Sequence, residues 1–541
     1  MTEPSQNDVE KTPAKSGVLL QVKDLTIRTR AGETLLSDIS FHIEPGELVA
    51  LTDLGRSGKS ILLRSLAGAF SPTSGEVLID GIDLYTNLKA FRPTIGYVPA
   101  EFVLHQNLTV AEILKDAAML RLPRRISSQD RKKRIQNILE IVELTDVAER
   151  RFGALSNIEQ RRLGIAIELI GYPSLLLVDD SAEPLAPFDE VQISILLREL
   201  SRQGITIIYV NPRSRSAGLS DKIIYLAPGG ALVWFGPTDE AFAYLKGLIP
   251  RGVVKDLFGL QEALEMLFNP QGREGGEWAK RFMDNPAYQK YVDDPLHNRY
   301  PDLLLQTRPL LRLRLRSSTN EKLPPPIVPR ASGFQKFILW VRRSVGLLWR
   351  DKSIFPMLGI PPLVALVYFI LSSAQGTVAR LPLVFDLFVF LVVLTSALLV
   401  QNEIFKEKAV YHREQRTNSM LFPYIGSKVW LVTVLAVYQA LVWTVINFFT
   451  QLSSPGGVQA LLPPAITLFL VAFVGGLLGL IVSALSKTAM TTTGWILLLT
   501  VPQLLFIANP LSNWSILVGL GLLLVAFLVV IQSRAGNAGL K

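Results

Sequence analysis

The chain has no cysteine among its 541 residues. Disulfide bonds, thiol catalysis and cysteine-based metal sites are therefore excluded. Charged residues make up 19% of the sequence and hydrophobic residues 49%, and the mean hydropathy is +0.32. These values are too apolar for a purely soluble protein of this size, so we expect part of the chain to lie in a membrane.

The net charge of +9 is compatible with a nucleic-acid partner, an anionic lipid surface or the cytoplasmic loops of a membrane protein. We expect no nucleic-acid partner, because the positive residues follow the membrane topology described below. The length allows two or more domains. Residues 1–16 are polar and lack the apolar core of a signal peptide, so we expect a disordered tail.

Residues 48–60 predict a buried strand, a tight loop and the start of a helix that runs to about Gly68. This is the pattern of a phosphate-binding P-loop, in which small residues let backbone N–H groups approach the phosphates. Lys59 would reach the β- and γ-phosphates, and the Ser60 hydroxyl would meet Mg²⁺. We expect the nucleotide-binding residues to be Gly55, Ser57, Gly58, Lys59 and Ser60.

The region around this loop, residues 17–245, predicts an α/β domain. Residues 175–178 and 205–210 are continuous apolar runs of the kind found in central buried strands, and residues 110–149 are largely helical. Strands that alternate with helices favour a largely parallel sheet. The first of these apolar runs ends in two carboxylates, Asp179 and Asp180.

Residues 246–332 predict a linker, since helical spacing there is broken by glycine, proline and charge. Leucine and arginine alternate over residues 311–316, and three prolines at 324–326 stiffen the chain that follows. The arginines could contact anionic headgroups or belong to a solvated linker, and both interpretations stay open.

The remainder, residues 333–541, predicts an all-α membrane domain. Residues 335–343 form an amphipathic helix suited to the membrane surface. Six apolar stretches follow, each about long enough to cross a hydrocarbon core of ~30 Å as a helix. They lie at about residues 354–374, 382–402, 428–450, 461–485, 489–508 and 514–533.

Some residues within these spans suggest particular roles. Gly475 and Gly479 form a small-xxx-small pair that predicts close helix packing. Asp386 is a carboxylate near the predicted outer end of the second span, where it is either interfacial or functional.

The lysine and arginine residues alternate sides with the predicted spans. They concentrate before the first span, between the second and third, and after the fourth and sixth. The positive-inside rule therefore predicts that both termini and the α/β domain are cytoplasmic. The segment from Lys406 to Lys428 is the longest and most charged cytoplasmic connection, so it either couples the two domains or is a polar loop kept for topology.

Several segments together resemble the nucleotide-binding domains of ABC transporters. The similar segments are residues 73–81 (the strand after the P-loop), 96–101 (the Q-loop), 107–112 (the helix start after it), 155–162 (the signature motif) and 175–180 (Walker B). Residues 227–230 with 235–237 resemble the end of this domain in the G (white-like) subfamily, and residues 406–414, 423–424 and 427–428 resemble that subfamily's cytoplasmic segment. The resemblance covers most of residues 17–541, including the order of the two domains.

The resemblance implies an ABC-type α/β P-loop NTPase domain followed by six transmembrane helices, in a multi-pass protein of the plasma membrane. ATP and Mg²⁺ are the implied cofactors, with Ser60 and Asp179 as metal ligands. The implied function is ATP-linked translocation, in the export direction, of a small hydrophobic or amphipathic substrate. The implied partners are membrane lipid and a second half-transporter, which is either a copy of this chain or a different one.

Several positions depart from the family pattern. Asp180 stands where the family has its catalytic Glu and is one methylene shorter, so it is a weak substitute. The other departures are Asp53 and Arg56 in the P-loop, Ala100 in the Q-loop, Asn157 and Ile158 where the family's signature motif has two glycines, Ala186 in the D-loop, Pro212 after Asn211 at the switch His, and Thr29 where an aromatic residue stacks on adenine. Asp53 and Arg56 could also pair and fill the site with protein charge.

Two functions therefore remain open from the sequence. The first is an ATP-driven transporter subunit, and the second is a catalytically deficient pseudo-ATPase that serves as scaffold or regulator of an ABC assembly. In the second case Lys59 and Asp179 could serve the fold alone, as a surface cation and a strand-end cap. We expect retained binding of the magnesium nucleotide and slow hydrolysis.

Overall fold

The chain divides into two compact units, one within residues 1–330 and one within residues 331–541. A computed structural model describes residues 17–53, 57–100, 104–123, 126–180, 185–210, 217–248, 275–298, 332–350, 354–373, 382–404, 407, 411, 421–452, 462–486 and 489–500.

The first unit alternates strands and helices. Its described strands are β1 (Leu20–Arg28), β2 (Thr34–Ile43), β3 (Leu48–Asp53), β4 (Ser74–Ile79), β5 (Ile82–Asp83), β6 (Ile95–Val98), β7 (Leu175–Val178), β8 (Thr206–Val210), β9 (Lys222–Ala227) and β10 (Ala231–Pro237). Its described helices are α1 (Lys59–Leu66), α2 (Leu88–Phe91), α3 (Val110–Arg121), α4 (Ser128–Ile141), α5 (Asn157–Leu169), α6 (Pro187–Arg202), α7 (Thr238–Leu248), α8 (Gly275–Met283), α9 (Pro286–Tyr288) and α10 (Asp294–Asn298).

The ten strands form one sheet in the order β5-β4-β1-β2-β10-β9-β3-β8-β7-β6. Strands β3, β8, β7 and β6 are parallel neighbours, whereas β1, β2, β4 and β5 pair antiparallel. Every residue of β7 and β8 is buried, as expected for central parallel strands that are covered on both faces. The predicted α/β P-loop fold of this unit is confirmed.

The parallel strands bring the predicted motifs to one edge of the sheet. The P-loop follows the carboxyl end of β3, and Asp179 follows the carboxyl end of β7. Only β8 separates these two strands. Ligands of open α/β sheets bind at this edge, because the loops that leave parallel strands converge there.

Local sequence signals explain where several helices begin. Thr109 and Ser156 each accept a hydrogen bond from the third residue of the following helix, and Glu112 and Glu159 complete the two capping boxes. Pro187 is the first residue of α6, where its missing N–H leaves no helical bond unmade.

Part of the segment between residues 246 and 332 is helical and packs on the sheet. The ring of Phe282 in α8 lies 5.4 Å from the ring of Trp234 in β10, measured between centroids. Tyr291 donates a hydrogen bond to Glu240 at the start of α7. The predicted linker boundaries stay a prediction, but residues 275–298 add an aromatic layer to the sheet.

The second unit is helical throughout its described residues. Its helices are α11 (Gly333–Arg350), α12 (Ile354–Ser373), α13 (Pro382–Val400), α14 (Leu421–Leu452), α15 (Leu462–Leu485) and α16 (Ala489–Thr500). Within the described ranges, residues 421–446 and 462–485 are long and apolar enough to cross a membrane, and the bent pair of residues 333–350 and 355–370 would make a third such span. The predicted sixth span, residues 514–533, lies outside the described residues, as does most of residues 403–420.

Two glycines set the distance between α13 and α15. A Cβ atom added at Gly475 would lie 2.6 Å from the Val393 carbonyl oxygen, and one at Gly479 would lie 2.4 Å from that of Ala397. No larger side chain fits at this backbone-to-backbone contact. The predicted close packing at this glycine pair is confirmed.

A buried ion-pair cluster joins three parts of the second unit. Lys428, near the start of α14, is 1% exposed. Its ammonium nitrogen lies 3.0 Å from a carboxylate oxygen of Glu403 and 2.9 Å from one of Glu407, and it donates to the Ser344 hydroxyl of α11 at 3.2 Å. Opposite charges and a hydroxyl therefore compensate the buried cation.

Candidate functional site

The P-loop is built around one glycine whose backbone no other residue could adopt without strain. Gly58 has a φ of 83°, in the left-handed region, and it is the N-cap of α1. A Cβ atom at this position would lie 2.7 Å from Leu36 Cδ2 and 2.8 Å from the Leu35 carbonyl oxygen. Ser57 beside it is buried. Gly55 lies outside the described residues.

The N-terminus of α1 differs from those of α3, α4 and α5. Side chains of Thr109, Ser127 and Ser156 cap the N-termini of α3, α4 and α5. At α1, by contrast, the described residues supply no side-chain cap. The first-turn N–H groups of Lys59 and Ser60 therefore belong to a helix end that suits an anion.

Lys59 and Asp179 interact electrostatically at this edge of the sheet. Burial lowers the pKa of the Lys59 ammonium to about 8, and the carboxylate of Asp179 opposes that effect. Asp179 is fully buried and accepts a hydrogen bond from the Tyr97 hydroxyl at 3.4 Å. Lys59 and Asp179, predicted to hold phosphate and Mg²⁺ respectively, are 120 positions apart in the sequence and are thus brought together.

Asp180 is held by an arginine that sequence reasoning did not single out. Arg161 of α5 forms an ion pair with the Asp180 carboxylate, and both side chains are more than nine-tenths buried. Burial raises the pKa of Asp180 to about 6, the carboxylates of Glu190 and Asp179 add to that rise, and Arg161 opposes it. The sequence signal was the pair of acids at the end of a buried strand, which requires a nearby cation.

The signature region, residues 155–162, closes its own helix end. The hydroxyl of Ser156 accepts the Glu159 N–H at 3.4 Å, and the Glu159 carboxylate accepts the Ser156 N–H at 2.7 Å. Asn157 is exposed and Ile158 is partly buried. In place of two glycines, this helix start presents an amide side chain and a β-branched one, which obstruct the close backbone approach that glycine permits.

The structure describes some of the remaining predicted positions and not others. The carbonyl oxygen of Ala100 accepts a hydrogen bond from Arg161 at 3.4 Å, and Ala186 is the N-cap of α6. Arg56, Asn211 and Pro212 lie outside the described residues, as does the side chain of Asp53.

The described residues contain no cluster of three or more His, Cys, Asp or Glu side chains that could hold a metal ion. The donors present at the site, the Ser60 hydroxyl and the Asp179 carboxylate, are hard oxygen ligands. Mg²⁺ is commonly held by one or two such groups together with nucleotide phosphate and water. The residues therefore fit a Mg²⁺ ion that arrives with a nucleotide.

Two family models match the chain in succession. The model of the ABC transporter family matches residues 36–183, and that of ABC-2 type transporters matches residues 335–508. The first match spans the P-loop and Asp179, and the second spans the helical unit. The chain belongs to the ABC transporter family, as a fused protein in which the ATP-binding domain precedes an ABC-2 type membrane domain.

Curated relatives agree with this domain order. An ABC transporter ATP-binding/permease protein of Mycobacterium tuberculosis is 28% identical over 90% of this chain and 54% of its own length. The broad substrate specificity ATP-binding cassette transporter ABCG2 of Rattus norvegicus is 34% identical over 43% of this chain and 35% of its own length. The chain thus spans about half or less of these two proteins.

A third relative bears on whether the nucleotide-binding domain indicates the direction of transport. The methionine import ATP-binding protein MetN of Corynebacterium glutamicum is 30% identical over 43% of this chain and 66% of its own length. This relative is named as an import protein, so the likeness over these 244 residues does not indicate export by this chain.

Proposed function

We propose that this chain is a half-transporter that binds MgATP at the edge of its sheet and uses it to move a small hydrophobic or amphipathic substrate outward. It pairs with a second half-transporter, identical or different. It resides in the plasma membrane as a multi-pass protein with both termini in the cytoplasm. The domain order, the ABC-2 type match and the apolar helices support this proposal.

The observation that carries the proposal is the electrostatic interaction between Lys59, in the first turn of α1, and the buried carboxylate of Asp179. A partly buried ammonium group, a helix end without a side-chain cap and a buried carboxylate are the parts that hold a phosphate chain and its Mg²⁺. A lysine kept only as a fully exposed surface cation would not have its pKa lowered by burial.

Each residue would act by position and charge. Backbone N–H groups from Ser57 to Ser60 and the Lys59 ammonium would bind phosphate oxygens. Ser60 and Asp179 would hold Mg²⁺, which would neutralise phosphate charge when bound. Asp180 would orient the attacking water. Gly55 is proposed only as one of the residues of the nucleotide-binding loop.

We propose further that hydrolysis is slow. Asp180 is one methylene shorter than the family's catalytic Glu, and the helix start at Asn157 and Ile158 lacks the family glycines. These two features also favour the alternative function, a subunit whose nucleotide acts mainly as a clamp between partners. The two functions share the binding site and differ in turnover.

Nucleotide binding is tested by thermal unfolding of the purified full-length chain in detergent. Millimolar MgATP should raise the melting temperature by mass action, and Lys59→Ala should abolish the rise. Lys89→Ala, at an exposed position of α2, is the control and should keep it. An equal shift in wild type and Lys59→Ala, or no shift in either, would leave Lys59 and Asp179 with a purely structural role.

A further inference from the structure

Arg161 contacts several parts of the candidate site. It is 7% exposed. One guanidinium nitrogen, Nη1, donates to the Asp179 carbonyl at 2.9 Å and to the Pro99 carbonyl at 3.2 Å. The other, Nη2, donates to the Ala100 carbonyl at 3.4 Å and forms the ion pair with Asp180.

These contacts join three parts of the fold. Arg161 lies on α5, one turn beyond the signature residues Asn157 and Ile158. Its partners lie after β6 and after β7. The planar guanidinium carries donors in a rigid fork, so it can hold several carbonyls and a carboxylate at fixed angles, which a lysine cannot do.

Two details connect this geometry to water positioning. Arg161 reaches Asp180 through Oδ1, and a carboxylate held at one oxygen can accept a hydrogen bond from a water molecule at the other. Arg161 also binds the backbone of Ala100, at the position where the sequence offers no hydrogen-bonding side chain. The Arg161 side chain thereby connects α5 to the Asp180 carboxylate, a connection that the side chain of Ala100 cannot make.

We propose that Arg161 is the positioning residue for Asp180: its guanidinium fixes the carboxylate and the ends of β6 and β7 in the arrangement that orients water toward bound ATP. The inference rests on the proposed function, since it needs a nucleotide at Lys59. Arg161 acts through Asp180 and does not touch the nucleotide.

The test measures slow ATP turnover of the full-length chain in lipid, with labelled ATP, in wild type, Arg161→Gln and Arg161→Lys. Arg161→Gln should lower kcat about tenfold or more, as expected when a water-orienting group loses its geometry. KM should change less than twofold, and the MgATP-induced rise in melting temperature should persist. Arg161→Lys keeps the charge without the fork, so it should recover part of kcat.

A matched control separates positioning from loss of a buried ion pair. Arg121 pairs with Glu168 further along α5, and this pair is also largely buried. Arg121→Gln should leave kcat unchanged, whatever it does to the melting temperature. A decrease in kcat equal to that of Arg161→Gln would overturn the inference.

A double-mutant cycle gives the sharper answer. If Arg161 acts through Asp180, Arg161→Gln should have no further effect on kcat in an Asp180→Asn background. A tenfold loss in both backgrounds, an increase in kcat in Arg161→Gln, or wild-type turnover no higher than in Lys59→Ala would each overturn the inference. If Arg161→Gln does not fold, the same cycle with Arg161→Lys serves.

The outcomes also distinguish this inference from the proposed function. A wild-type chain whose melting temperature does not respond to MgATP would overturn the proposed function itself. A normal MgATP response with unchanged kcat in Arg161→Gln would overturn only the role of Arg161.

Discussion

Single residues hold the P-loop helix α1 at its two ends. At its start, Gly58 adopts a left-handed backbone against Leu36. Near its end, the Tyr85 hydroxyl donates to the Ser65 carbonyl at 2.8 Å. Burial raises the pKa of Tyr85 to about 12, because the phenolate would lose its solvation. The helix that presents Lys59 therefore depends on a neutral tyrosine.

This dependence predicts how stability changes at alkaline pH. An unfolded tyrosine ionises near pH ~10. As the pH rises from there toward about 12, the unfolded chain loses the proton first, so the free energy of unfolding falls. Tyr85→Phe cannot ionise and should show a shallower decrease in melting temperature between pH 9 and 11.5. The exposed Tyr172→Phe is the control, and parallel curves for wild type and Tyr85→Phe would contradict the prediction.

The site could be predicted at some residues and not at others. Lys59 and Asp179 were predicted together because each follows an apolar run, and parallel strands end at one edge of a sheet. The role of Arg161 was not predicted, because its neighbour Arg162 has the same chemistry and only tertiary packing distinguishes the two arginines. Arg162 turns instead to Glu143 on the surface.

At the level of elements, the start of α14 depends on the Lys428 cluster. Lys428→Met would leave Glu403 and Glu407 in a buried site without their cation, which costs about 3–5 kcal/mol when one partner of a buried pair is removed. The melting temperature in detergent should fall clearly. Lys428→Met with Glu407→Gln should recover part of the loss, and an unchanged melting temperature in the single variant would contradict the assignment.

The contact between α13 and α15 gives a second prediction. Gly479→Ala places a methyl group against the Ala397 carbonyl, so the helices must separate. Overpacking of this kind costs about 1–3 kcal/mol, and the melting temperature should fall. Gly494→Ala on α16, where no described atom lies within 4 Å of an added Cβ, should not lower it. Equal effects of the two substitutions would refute the close contact.

The length of the apolar stretches predicted helices in the second unit, but it did not predict where α14 begins. The third span was expected from residue 428, after a lysine, whereas α14 begins at Leu421. A lysine normally marks the end of an apolar segment. Here Glu403 and Glu407 compensate its charge, so the helix continues through it. That compensation depends on contacts between distant residues, which spacing along the chain does not show.

At the level of the whole molecule, the arrangement across the membrane is a prediction from charge alone. Single cysteines can report it, since the native chain has none. In intact cells, an impermeant thiol reagent should label Ser453→Cys and not Ser419→Cys. Labelling of Ser419→Cys with protection of Ser453→Cys would reverse the topology.

The rate of ATP turnover tests most directly whether this site holds MgATP and hydrolyses it slowly, as proposed. The proposed catalytic carboxylate, Asp180, is short, and by the family resemblance the signature glycines are replaced and Pro212 stands at the switch position. Each lost transition-state group commonly costs about 10²–10³ in rate. If two subunits together formed each ATP site, pairing would not restore the lost groups, because this chain is altered on both surfaces that it would contribute.

Steady-state hydrolysis should therefore be measured in lipid, for the full-length chain alone and in its native assembly. We expect turnover far below the ~1 s⁻¹ typical of ordinary enzymes, together with a preserved MgATP-induced rise in melting temperature. Turnover of roughly 1 s⁻¹ or more that Asp180→Ala abolishes would contradict this expectation and would make Asp180 a competent catalytic residue.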